Sequence, residues 1–87
     1  MKLELLVADW NPSCRRAEAV WRQIARERDL EVQIIDVDQP QGQALMQRLQ
    51  LKTIPALLID GQLVAIGVQN EEAARALIDA ARPSTRP

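Results

Sequence analysis

The stretch Ala8-Asp9-Trp10-Asn11-Pro12-Ser13-Cys14-Arg15-Arg16 marks the passage from an apolar run into a helix, and it holds the only thiol of the 87-residue chain. Asn11 is a good N-cap, because its side-chain oxygen can accept from an early helical N–H. Pro12 follows at a position whose donor would have been orphaned anyway. A helix that begins at Pro12 puts Cys14 in its first turn. There the unpaired N–H groups and the macrodipole favour a negative sulfur, provided that the sulfur is not buried in apolar surroundings.

The segments on either side say what kind of fold this helix serves. Residues 2–8 (KLELLVA) contain an unbroken apolar run from Leu5 to Val7 and read as a strand covered on both faces rather than an alternating surface strand. From Pro12 to about Arg28, the residues Ala17, Val20, Trp21 and Ile24 recur at i, i+3, i+4 and i+7, the stripe of an amphipathic helix. Its other face carries Arg15, Arg22, Arg26 and Glu18, which reads as solvated surface; Glu18 and Arg22 form an i, i+4 pair worth ~0.2–0.5 kcal/mol. Residues 31–37 (EVQIIDV) supply a second strand, and a strand–helix–strand crossover makes the two strands parallel neighbours.

Asp38-Gln39-Pro40 opens a short helix whose inward positions are expected at Ala44 or Leu45, Leu49 and Met46, with Gly42 blurring where it starts. In residues 52–67, two apolar runs flank Asp60-Gly61, a strong signal for a β-hairpin. Asn70 caps a last helix with Glu71 and Glu72 in its first turn and Ala74, Leu77, Ile78 and Ala81 on one stripe. The expected order is β-α-β-α-β-β-α in one domain over residues 1–82, with 83–87 as a mobile tail.

Composition narrows the function classes. With 47% apolar residues and a net charge of −1, the chain reads as a small soluble domain, and no basic excess points to nucleic acid or an anionic membrane. No run approaches the ~18 apolar residues of a membrane span, and the opening residues do not read as a signal peptide, so a cytoplasmic location is expected. One cysteine and no histidine exclude an internal disulfide, the usual zinc sites and the Cys–His and Ser–His–Asp arrangements; no metal is expected.

Three features combine into a family resemblance. A strand running into Ala-x-Trp-x-Pro-x-Cys, an Asp-x-Asp-Gln strand end at Asp36 to Gln39, and Ile54-Pro55-Ala56-Leu57-Leu58-Ile59 before a turn glycine together resemble the thioredoxin-like superfamily, in the short form close in size to glutaredoxins. The resemblance runs from about Lys2 to Ala81. It implies a thioredoxin-like α/β fold, a four-stranded mixed sheet of order 2-1-3-4 with helices on both faces. X-Pro bonds are cis in only ~5–6% of folded cases, so a cis Pro55 is an expectation of the resemblance alone. The resemblance also implies that Ile54 offers backbone groups to an extended partner segment. Pro12, Ser13, Cys14, Ile54 and Pro55 should then surround one groove with Trp10 beside it.

The chain departs from the family where the chemistry is done. Asn11 stands at the position of the first, attacking cysteine and Cys14 at that of the resolving one, and exchange needs both thiols. Thioredoxins carry a buried acid six residues before the first cysteine and a lysine partner on the next strand; Leu5 and Ile34 stand there instead. Monothiol glutaredoxins keep the other cysteine, and their Gly-Gly-x-Asp stretch is only echoed by Gly67-Val68-Gln69-Asn70.

Each of these residues also has a plain structural reading. Cys14 can be an inert packed sulfur, Asn11 only a cap, Trp10 a strand-end packing residue, Trp21 core, Gly61 a turn residue and Gly67 a relief of backbone crowding. Three functions remain open. One is a thiol–disulfide protein acting through Cys14 alone, with glutathione as co-substrate or a protein thiol as partner. The second is a catalytically inactive module that binds an extended peptide in the Trp10/Ile54/Pro55 groove. The third is an oxidoreductase frame whose first cysteine has been exchanged for Asn11. No other cofactor is expected, and the chain is expected as a monomer or weak homodimer.

Overall fold

The strand Leu3–Val7 (β1) is buried from end to end and organises the sheet. A computed structural model describes residues 1–81; the tail expected at 83–87 lies outside the described residues. After β1 come α1 (Pro12–Glu27), β2 (Val32–Asp36), α2 (Pro40–Leu49), β3 (Ala56–Ile59), β4 (Gln62–Ile66) and α3 (Glu71–Ala81). The sheet has the order β2-β1-β3-β4, with β1 parallel to β2 and antiparallel to β3. This is the mixed sheet that the resemblance implied.

The two-residue period of a strand divides the core between the two faces of the sheet. Leu3, Leu5 and Val7 of β1 join Leu57 and Ile59 of β3 under α1 (Ala17, Trp21, Ile24) and α3 (Ala74, Ile78). Leu6 and Ala8 join Ala56 and Leu58 on the other face, where Leu45, Met46 and Leu49 of α2 pack. Trp21 is fully enclosed, as its place on the helix stripe predicts. Among the described residues, Glu4 is the buried charge, 6% exposed, and it is answered by the Lys2 ammonium at 3.7 Å.

Local chemistry sets the boundaries. Asp60 (φ 50°) and Gly61 (φ 83°) both have positive φ, the geometry of the tight hairpin turn between β3 and β4. Val64 has no partner across the ladder, since Leu57 faces Ala65 and Leu58 faces Leu63, which makes a bulge on the edge strand. The Asn70 carboxamide accepts from the Ala73 N–H at 2.7 Å at the head of α3. The C-terminal part of α1 is tied to α3 on the surface. Arg75 grips both oxygens of Glu27 at 2.7 and 2.9 Å, and Arg28 donates to Asp79 at 2.7 Å.

Two expectations are corrected. Of the two alternatives at the first inward position of α2, Ala44 is exposed and Leu45 packs inward with the expected Met46 and Leu49; Gly42, expected only to blur the helix start, is its one fully buried residue. Gly42 is where α2 touches the end of β2: a Cβ there would sit against the Asp36 carbonyl oxygen and 2.6 Å from the Val37 Cα. Gly67 does not relieve crowding, since nothing lies within 4 Å of the position its Cβ would take; the residue is needed for its φ of +90°. Among the described residues, no helix is long and apolar enough to cross a membrane.

Candidate functional site

The site is built at the junction between β1 and α1. Asn11 has an extended backbone (φ −108°, ψ 112°), as an N-cap should, and its Oδ1 accepts from the Ser13 N–H at 2.9 Å. Its own N–H donates to the Ala8 carbonyl at 3.2 Å, and its carbonyl accepts from the Cys14 N–H at 3.0 Å. The loop from Ala8 to Cys14 is thus closed by its own backbone.

Cys14 lies on the inward side of the first turn of α1. The residue is 3% exposed and belongs to the apolar cluster beneath α1 and α3, and the Ala8 N–H donates to Sγ at 3.3 Å. The condition attached to a reactive sulfur, freedom from apolar burial, is therefore not met in this conformation. Arg15 and Arg16 are exposed, and the Arg16 Nη2 donates to Ser13 Oγ at 3.2 Å, so this guanidinium is turned along the helix surface.

The second wall comes from the segment before β3. The Ile54–Pro55 peptide bond is cis, Pro55 is fully buried, and the half-buried Ile54 packs against both core clusters. Gly67 donates its N–H to the Pro55 carbonyl at 2.7 Å, so the end of β4 fixes this segment from the far side. The Asn11 Nδ2 donates to the Ile54 carbonyl at 3.4 Å, joining residues 43 positions apart. Asn11, Ser13, Cys14 and Ile54 are thereby brought to one place, with Pro12 exposed at the helix start and Pro55 behind Ile54. Trp10 is 67% exposed beside them, which removes the reading of it as a strand-end packing residue.

The "Thioredoxin domain" family description matches residues 1–79. The chain belongs to the thioredoxin family. A mutant thioredoxin from Halobacterium salinarum NRC-1 superposes on it with a TM-score of 0.77 at 31% identity, covering 98% of this chain and 77% of that one. A thioredoxin from Fasciola hepatica shares the fold with a TM-score of 0.70 at 23% identity, over 93% of this chain and 80% of that one. No curated protein matches the sequence.

Against that thioredoxin frame, Leu5 and Ile34 face each other directly across the β1–β2 ladder, and both belong to the apolar side that encloses Cys14. Among the described residues, no three His, Cys, Asp or Glu side chains gather as a metal site would require. Three contacts of the site are not legible in the sequence: the Ala8 N–H on the sulfur, the grip of Gly67 on Pro55, and the reach of Asn11 to Ile54. For the second, the echo at Gly67 was a signal, though of structure rather than of ligand binding.

Proposed function

We propose that this thioredoxin-family protein serves thiol–disulfide homeostasis by holding an extended segment of a partner protein in the groove between the head of α1 and the Ile54–Pro55 segment, without dithiol exchange. The observation that carries this reading is the contrast at the site itself. Cys14, which carries the only thiol, is 3% exposed, whereas the nearby Trp10 is 67% exposed. An exposed aromatic ring is a typical anchor for a polypeptide partner, and an enclosed thiol cannot reach a disulfide. Asn11 at the outward position has no nucleophile to offer.

A second reading keeps Cys14 as a single reacting sulfur, with glutathione as co-substrate. It is favoured by the place of Cys14 in the first turn of α1, with the Ala8 N–H directed at Sγ.

Two measurements separate the readings. Folded protein held with excess oxidised glutathione is expected to gain no adduct of one tripeptide mass until denaturant is added; rapid addition to the folded chain would establish the single-sulfur reading instead. On an array of short unstructured peptides, Cys14→Ser is expected to bind as the parent does, and Trp10→Ala to bind at least about tenfold more weakly, as for an aromatic anchor. Equal binding by Trp10→Ala would remove the groove.

A further inference from the structure

All four polar groups of Asn11 are engaged, but only one of them reaches another element. The backbone N–H, the backbone carbonyl and Oδ1 serve the local loop and the helix cap, through Ala8, Cys14 and Ser13. Nδ2 alone crosses to Ile54. A cap does not need that amide, since Ser and Asp cap a helix about as well as Asn. Of the three, only Asn has an N–H to give while its oxygen is held by the helix. The Ile54 carbonyl, in turn, belongs to a half-buried residue, and the donor it meets is the Asn11 amide.

We propose that Asn11 is the gate of the groove: its carboxamide occupies the Ile54 carbonyl, and a partner enters by replacing that N–H with one of its own. This rests on the groove reading above and deepens it: backbone pairing at Ile54 is what the family resemblance implies, and the competing donor on Asn11 is this chain's own. The partner is an extended polypeptide that presents a backbone N–H to Ile54, and a proline at that position, which has no N–H, is excluded. The exchange trades one hydrogen bond for another and so is nearly balanced. At 3.4 Å the Asn11 bond is long, which places it at the weak end of the range. Asn11 therefore lowers affinity without blocking it.

The test uses two variants that keep the cap. Asn11→Ser is too short to reach Ile54, and Asn11→Asp presents an acceptor where the donor stood. In both, the Ser13 amide should stay protected from hydrogen exchange while the Ile54 carbonyl 13C resonance moves upfield, as for an acceptor that has lost its donor. A peptide selected on the array above should bind Asn11→Ser about threefold to fivefold more tightly than the parent. Its analogue with an N-methyl group at the residue facing Ile54 should lose that gain. Tighter binding by Asn11→Ser together with weaker binding by Trp10→Ala is a pair of opposite signs that general loosening of the loop does not produce. An unchanged Ile54 carbonyl resonance together with unchanged peptide affinity overturns the gate and leaves the groove standing. Failure of every peptide to bind parent and variants alike overturns the groove and the ligand assignment with it.

Discussion

Replacing Gly42 by alanine sets two effects of opposite sign against each other. Helix propensity alone favours the change, since alanine is better than glycine in a helix interior by ~0.8–1 kcal/mol. The packing opposes it. The new Cβ would lie against the Asp36 carbonyl oxygen, 2.6 Å from the Val37 Cα and 2.7 Å from the Asp36 carbonyl carbon. All three are backbone atoms at the end of β2, so no flexible side chain can swing aside. Reaching ordinary contact requires α2 to withdraw by about 0.8 Å or more from the sheet, taking Leu45, Met46 and Leu49 partly out of their packing against Leu6 and Leu58. Forced overpacking of this kind costs ~1–3 kcal/mol, and clashes with rigid backbone belong at the upper end. The net loss after the propensity gain is about 2 kcal/mol. With a urea slope near the lower end of the usual range, ~1–1.5 kcal/mol per molar, the unfolding midpoint should fall by about 1.3–2 M. Urea titrations followed by circular dichroism measure it directly. A midpoint equal to or above that of the parent would show that α2 moves without cost, and the argument from backbone contact would fail.

Two further predictions concern the surface and the site. The Arg75 guanidinium hydrogen-bonds Glu27 and holds its carboxyl below the usual value of 4.5, so the stability from this contact is present above the unfolded value and is lost as pH falls through the depressed folded value; the Tm difference between the parent and Glu27→Gln should therefore be full at about pH 6 and shrink progressively as pH falls below the usual carboxylate range, and a difference independent of pH would refute it. Asn11→Cys should form a disulfide with Cys14 under oxidants yet reduce insulin disulfides about a hundredfold more slowly than a dithiol thioredoxin, the low end of what a positioned proton acceptor supplies, and turnover equal to such a thioredoxin would overturn this.

The architecture was legible because its signals are local. Asp60-Gly61 carries its turn geometry in two residues, and the stripe at Ala17, Val20, Trp21 and Ile24 states its period within one helix. The helix head at Asn11 and Pro12 falls where the capping chemistry puts it. What stayed hidden depends on elements far apart in the chain. Gly42 looked like a weak spot in α2 because nothing nearby in sequence reports that Asp36 and Val37 press against it. The burial of Cys14 depends on how α1 is rotated on the sheet, and a position in the first turn is compatible with a sulfur facing in or out. Asn11 was correctly read as a cap, but its bond to Ile54 exists only once β3 lies beside β1.

The resemblance puts Asn11 where a first cysteine would stand, and the residues packed below bear on whether the groove or the chemistry is what the fold serves. Had a working dithiol site lost one residue, its proton-handling partners would remain beneath it. Leu5 and Ile34 stand there instead, in register across β1 and β2 and within the apolar side that encloses Cys14. An acid or a lysine at these positions would need a partner to be tolerated in such surroundings, whereas two aliphatic side chains pack without one. Replacement of Asn11 alone does not account for them. Meanwhile the residues of the proposed groove are held in place: the helix head is capped, Ile54 packs against both core clusters, and Pro55 is fixed by Gly67. Supports kept at the helix head and at Pro55, over a sulfur packed as core, are what the proposed partner-holding role requires and what bond exchange through Cys14 does not.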